Sequence, residues 1–307
     1  GVLADRGAES ARYGLPILGG YGDLKQALAQ KRVDHVILAL ESAEADRLDF
    51  DWGSPVCPDA VDEALSTGDY DAVTLVHNET STGTMSDLQA LASLKKKHPK
   101  VMFVVDCVSS LSALAIEFDS LGIDVLLAGT QKALALPPGF SVFVCSEAAL
   151  ERASTLNDRG YYFDFLEFQK NAEKDMTPST PSISHAFALS SKLDEMLDEG
   201  LENRYARHAR LAQMTRDWAS EKGFELFPDK GFESVTLTCL NNGAKPGGRI
   251  IDVAELQKQV RSRGIQIDGG YGKVKGKTFR LSSMGNETEQ SMKHLYGVLD
   301  ESLAAME

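Results

Sequence analysis

Residues 101–139 read VMFVVDCVSSLSALAIEFDSLGIDVLLAGTQKALALPPG, and the fold is decided in this stretch. An apolar run, Val101 to Val105, ends on Asp106. A second, Val125 to Ala128, leads into Gly129-Thr130-Gln131-Lys132. Short continuous apolar runs of this kind read as strands covered on both faces. Outward from them, Val33 to Leu40 (VDHVILAL) and Ala72 to Val76 (AVTLV) read as earlier strands, and Ser141 to Cys145 as a later one. Met85 to His98 has helical spacing, with Leu88, Leu91, Ala92 and Leu94 on one side. Strands alternating with helices predict an α/β fold with a mostly parallel sheet flanked by helices.

The pattern changes after Phe165. Asn171 to Ser184 is rich in Ser, Thr and Pro and reads as an ordered loop or crossing. His185 to Lys222 is helix-dominated, with an interruption near Glu199-Gly200. Val235 to Cys239 and Thr278 to Ser282 read as strands. Asp252 to Arg263, ended by Gly264, and Glu287 to Met306 read as helices. This is a smaller α+β domain.

The chain has 307 residues and a formal charge of −13, which argues against nucleic-acid binding, since that needs clustered Lys and Arg. The Lys95-Lys96-Lys97 run reads as a solvated helix face. None of Cys57, Cys107, Cys145 and Cys239 forms a CxxC pair, so no metal site is expected. Cys107 and Cys145 read as small core residues. No apolar run approaches the ~20 residues of a membrane span. No targeting segment is seen, and reduced thiols fit a cytoplasmic protein.

Ligands of open α/β sheets bind beyond the carboxyl ends of the strands. Three predicted strand ends carry polar groups: His77-Asn78-Glu79-Thr80-Ser81-Thr82-Gly83, Asp106, and Gly129-Thr130-Gln131-Lys132. A lone Asp there is commonly a helix cap, and a lone Lys is commonly just exposed. Pyridoxal 5'-phosphate (PLP) gives the three one joint explanation. It needs a lysine to hold it, an acid to keep its ring nitrogen protonated, and donors for its phosphate and phenolic oxygen. Lys132 and Asp106 suit the first two needs, Gln131 and Thr80 the others.

From about Trp52 onward the chain resembles the class V aminotransferases, in particular the alanine–glyoxylate and serine–glyoxylate group. The matching stretches are HNETSTG at 77–83, VDCVSSL at 105–111, GTQKALALPPG at 129–139, TPSTPSI at 177–183, EGLENRYARH at 199–208 and GGYGKVKGKTFRLSSMG at 269–285. The resemblance implies the PLP-dependent transferase fold type I and a homodimer that moves an amino group from alanine or serine to glyoxylate or pyruvate. It implies that Lys132 forms the Schiff base, Asp106 pairs with the ring nitrogen and Val108 lies against the ring. It also implies that Thr80 bonds the ring oxygen, Gln131 contacts the phosphate and Thr180 reaches a neighbouring subunit's phosphate. Arg280 would grip the substrate carboxylate in a planar bidentate pair. Structural readings stand beside these: Val108 as core, Thr180 as a turn residue, Arg280 in a surface ion pair, His77 as a structural residue. His185, His208 and His294 fall on helices and are expected to play no catalytic part.

The first 48 residues depart from the pattern. Relatives carry there a small-residue phosphate loop and an aromatic residue that stacks on the ring, and neither is found. Residues 1–48 are instead similar to a piece of the Rossmann-like domain of polyprenyl-phosphate sugar phosphotransferases, at Asp5-Arg6, Leu15 to Gly19, Asp23-Leu24 and Val33 to Val36. The expected division is 1–48, an atypical Rossmann-like βα segment or, if residues 1–14 are aminotransferase sequence, an insertion after them; 49–200, a partial PLP-binding large domain; and 201–307, the small α+β domain. A truncated or fused chain without catalysis of its own is an alternative. A class V lyase or desulfurase is another, disfavoured because Gln131 rather than His precedes Lys132 and Cys239 lies in a predicted strand.

Overall fold

The computed structural model describes residues 2–3, 17–19, 46–157, 159–160, 162–270 and 272–307. Two units are distinct: 1–47 with 156–164, and 48–155 with 165–307. In the first, β1 (Val2–Leu3) pairs in parallel with β2 (Ile17–Gly19), and Arg159 Nε lies 3.0 Å from both carboxylate oxygens of Asp164. The strand expected at 33–40, and most of the phosphotransferase-like stretch, lie outside the described residues.

The second unit opens with α1 (Pro58–Thr67), whose first residue is a proline placed where a helix needs no N–H. It continues through β3 (Ala72–Val76), the hairpin of β4 (Asn78–Glu79) and β5 (Thr84–Met85), and α2 (Leu88–Lys97). The expected start of α2 at Met85 is corrected to Leu88. Met85 is claimed by the hairpin, and the Asp87 carboxylate caps the helix by accepting from the N–H groups of Gln89 and Ala90. Then follow β6 (Met102–Asp106), the single turn α3 (Phe118–Leu121), β7 (Val125–Gly129), β8 (Ser141–Cys145), α4 (Glu147–Ser154) and α5 (Phe165–Ala172). The long helices α6 (Ile183–Glu199) and α7 (Leu201–Glu221) break at Gly200, as expected. The small-domain elements are β9 (Leu237–Asn241), α8 (Val253–Ser262), β10 (Thr278–Ser282) and α9 (Glu289–Ala304).

The main sheet has the order β3-β6-β7-β8. Its first three strands are parallel, and β8 runs antiparallel to β7. The sheet is thus mostly parallel, as expected, and the reversal of its last strand has a physical reason. Only residues 130–140 connect β7 to β8, fewer than the dozen or more of a parallel crossover. Register sets the site: Val76 lies opposite Asp106, and Asp106 opposite Leu127. The carboxyl ends of β3, β6 and β7 therefore finish at one level.

One core cluster packs α1 and α2 on the sheet through Val61, Leu65, Leu75, Leu91, Leu94 and Phe103. Another joins Leu88, Val105, Cys107, Leu121, Ile123 and Leu126. The largest cluster, with Trp218, Phe224, Leu240, Leu256, Phe279 and Leu299, seats α7, α8 and α9 on the antiparallel β9–β10 pair. The reading of Lys95 to Lys97 as a solvated face holds for Lys96 and Lys97, which are exposed, and is corrected for Lys95. Lys95 Nζ sits 2.6 Å from the buried Asp124 carboxylate and donates to the Val101 carbonyl, and Lys97 pairs with Asp62.

Candidate active site

The turn that carries Lys132 is closed on itself. Thr130 Oγ1 donates to the Pro137 carbonyl (2.9 Å), Leu136 N to Thr130 O (3.0 Å) and Ala135 N to Lys132 O (2.9 Å). Ala135 adopts a left-handed conformation, φ 58°. From the other side Gly285 (φ +79°) presses on this turn. A Cβ there would come 2.8 Å from Ala135 Cβ, so a side chain would push the turn away.

Lys132 is half-buried, and its amine is held below the usual lysine range. Desolvation is the main cause and the Arg280 charge the next. Glu79, Asp268 and Asp106 pull in the other direction. The amine thus stands in the field of both Arg280 and Asp106. A partly desolvated amine with a depressed pKa is the form that attacks carbonyl carbon.

Asp106 ends β6, and its Oδ1 accepts from the Val108 N–H at 2.8 Å, which fixes the carboxylate as the chain turns. Val108 is half-buried. Thr80, at the tip of the β4–β5 hairpin, shares a short hydroxyl contact with Ser109. The Thr80 carbonyl accepts from Arg280 Nη1 at 2.6 Å. Gln131 is exposed beside Gly129. Asp106, Lys132, Thr80 and Arg280 are thus brought together. Thr180 is not: it is exposed on the segment between α5 and α6, and no hydrogen bond joins it to the others.

Several residues that the sequence reading did not single out hold this arrangement. Asn78 Nδ2 donates to the Ser109 carbonyl (3.0 Å) and to Thr236 Oγ1 (2.8 Å), tying the hairpin to the 107–112 segment and to the small domain. Arg204 on α7, fully buried, donates to the carbonyls of Ser112 (3.0 Å) and Ala133 (2.8 Å) and pairs with Glu199. Glu199 also binds Arg207, which donates to the carbonyls of Gly285 and Glu287. The only sequence signal for them was their place in the HNETSTG and EGLENRYARH stretches.

Two buried histidines are held neutral. His208 Nδ1–H donates to Arg204 O (2.9 Å), and its Nε2 accepts from Gly285 N (3.2 Å). Burial, then the charges of Arg207 and Arg204, push its pKa down to about 4. His77, at the end of β3, is pushed to about 4 by burial, and its Nδ1 has no hydrogen-bond partner. The unfolded chain binds more protons on these residues between their ordinary pKa of ~6.5 and the folded value, so acid favours unfolding. Stability should therefore fall as pH drops from about 6.5 to 4, by roughly 3 kcal/mol per histidine at most. Urea melts at pH 7.5 and 5 measure this, and His208→Gln should flatten the acid limb. An acid limb unchanged by that substitution would show that His208 does not carry it.

Among the described residues, no group of three His, Cys, Asp or Glu side chains could hold a metal ion, and no helix is long and apolar enough to cross a membrane.

A family model described as aminotransferase class-V matches residues 40–273. An uncharacterized aminotransferase of Methanocaldococcus jannaschii is 38% identical over 253 residues, covering 81% of this chain and 64% of that protein. The serine–glyoxylate aminotransferase of Arabidopsis thaliana is 35% identical over 251 residues, covering 80% and 61%. An aspartate aminotransferase structure from Thermus thermophilus superimposes with a TM-score of 0.75 at 32% identity, covering 85% of this chain and 71% of the other. The chain spans 61–64% of the length of these two sequence relatives. None of these three proteins is a sugar phosphotransferase, so they lend no support to that resemblance for residues 1–48.

Proposed function

This chain belongs to the class-V aminotransferase family, with the fold type I architecture, and we propose that it transfers an amino group from alanine or serine to glyoxylate or pyruvate. PLP is the cofactor of this family. One observation carries the reading: the desolvated Lys132 amine lies in the field of both the Asp106 carboxylate and the Arg280 guanidinium, at the ends of three adjacent parallel strands.

The donor set fits PLP. Lys132 offers an amine for the aldehyde, Asp106 a carboxylate for a protonated ring nitrogen, the Thr80–Ser109 hydroxyl pair a donor for the phenolic oxygen, and Gln131 an amide for the phosphate. Val108 would lie against the ring, and Thr180 would serve a second subunit's phosphate. When bound, the cofactor supplies an electron sink next to the substrate Cα. The chain's own residues do the rest. Arg280 binds and orients the substrate carboxylate. Lys132 Nζ would take the Cα proton and hold it for return, and its depressed pKa keeps a share of the amine unprotonated for that task. The charge on Asp106 would favour a protonated ring nitrogen on the bound cofactor.

The large domain would be 49–200 and the small domain 201–307. A second copy of the chain is the proposed partner, supported by an exposed apolar row on α6, where Ile183, Phe187 and Leu197 are 57%, 73% and 69% exposed. All four cysteines are free thiols, which supports a reducing, cytoplasmic setting. A desulfurase would need a reactive cysteine. Cys239 is instead buried in β9, and burial pushes its thiol up to about 12.

The test is a set of single-turnover reactions. The chain is loaded with PLP, sized by sedimentation, and mixed in turn with alanine, serine and aspartate. Formation of the matching 2-oxo acid from alanine or serine, by a dimer, is the expected result. A folded chain that stays colourless with PLP and yields no 2-oxo acid would favour an aminotransferase-like protein without catalysis of its own.

A further inference from the structure

Arg280, read above as the anchor for a substrate carboxylate, already faces a carboxylate of this chain. We propose that Asp268 is a specificity-determining residue: it occupies Arg280 until a substrate carboxylate displaces it, and it disfavours substrates that carry a second negative charge. The inference rests on the reading of Arg280 as the carboxylate anchor.

Backbone geometry builds the contact. Asp268 and Arg280 stand opposite each other in an antiparallel bridge, with Arg280 N donating to Asp268 O at 2.8 Å. Directly opposed residues project side chains to the same face, so the pair meets by register. The carboxylate is anchored a second time, because Asp268 Oδ1 accepts from Gly270 N at 2.8 Å. Gly270 has φ +73°, and a Cβ there would lie 2.6 Å from Thr278 Oγ1 and 2.7 Å from the Val274 carbonyl, so the turn requires glycine. The same Oδ1 lies 2.6 Å from Arg280 Nη2 and 3.1 Å from Nε.

The two partners are unequally exposed. The Arg280 side chain is 10% exposed and that of Asp268 is 51%. The guanidinium is further tied to Thr80 O through Nη1. Asp268, half-exposed, can move its carboxylate off the guanidinium while the Gly270 N–H keeps it near, whereas Arg280 is also held by Thr80 O. A monocarboxylate thus exchanges one negative charge for another on a stationary cation. A dicarboxylate adds a second charge while Asp268 is still tethered close by, and like charges at such range repel. The influence reaches the reacting amine, since Arg280 lowers the Lys132 pKa and Asp268 raises it. Small amino acids with uncharged side chains are the class this pair favours.

Asp268→Asn keeps an Oδ1 to accept from Gly270 and removes the charge. Dissociation constants for propionate and succinate, an unreactive mono- and dicarboxylate, can be measured by calorimetry on the chain with PLP and again without it. Asp268→Asn should tighten propionate by about three- to tenfold and succinate by more, and Arg280→Lys should weaken both. If Asp268→Asn leaves the succinate-to-propionate ratio unchanged while Arg280→Lys weakens both ligands, the Asp268 proposal is overturned and the anchor reading stands. If Arg280→Lys changes neither constant, the anchor reading falls and takes the proposal with it.

Discussion

Lys132→Ala should abolish borohydride-sensitive PLP attachment and slow the amino-acid half-reaction by about 10³-fold or more. The size follows from one amine having two tasks, holding the cofactor and moving the Cα proton. The position is hard to replace. The amine is fixed by the 130–137 turn, braced by Gly285 on Ala135 and by Arg204 on Ala133. Lys132→Arg retains the charge beside Asp106 and Glu79 but offers no nucleophilic amine, so it should be as inactive as the alanine variant. Activity close to wild type in either variant would end the assignment.

Arg204→Met should cost about 3–5 kcal/mol of stability and, in whatever protein folds, lower the half-reaction rate by roughly 10²-fold. The fully buried guanidinium bridges two carbonyls, one in the segment after Asp106 and one immediately after Lys132. It therefore sets the spacing between the acid and the amine. Ser112 needs this support most, since it holds φ 77° without being glycine. Removing Arg204 leaves Ser112 O unsatisfied in the interior and Ala133 O with the Ser112 hydroxyl. A lysine at 204 cannot span both carbonyls, so Arg204→Lys should recover stability better than rate. Denaturant melts and single-turnover rates on the same preparations separate the two effects. Equal recovery of both would reduce Arg204 to a purely structural role.

Much of the sheet was legible because buried parallel strands are written as unbroken apolar runs. AVTLV and VMFVV stop at His77 and Asp106, and VLLA runs through Gly129 into Thr130-Gln131-Lys132, which marks the functional edge. Register was not legible: nothing local says that Val76, Asp106 and Leu127 lie side by side. The direction of β8 was hidden for a similar reason, since SVFVC is as apolar as its parallel neighbours and only the short 130–140 return dictates the reversal. Arg204 reads in sequence as one more charged residue on a helix. Its value comes from Ser112 and Ala133, far away along the chain. Asp268 carries no local signal in the sequence, and only its bridge to Arg280 marks it out.

The central claim is that the amine at 132 and the carboxylate at 106 serve one cofactor at the same sheet edge. Borohydride reduction of the PLP-loaded chain, followed by peptide mass spectrometry, tests it most directly. The account predicts one stoichiometric pyridoxyl mark, on Lys132, with weaker retention of the cofactor in Asp106→Ala. A stoichiometric mark on any other lysine, with Lys132 unmodified, would contradict it.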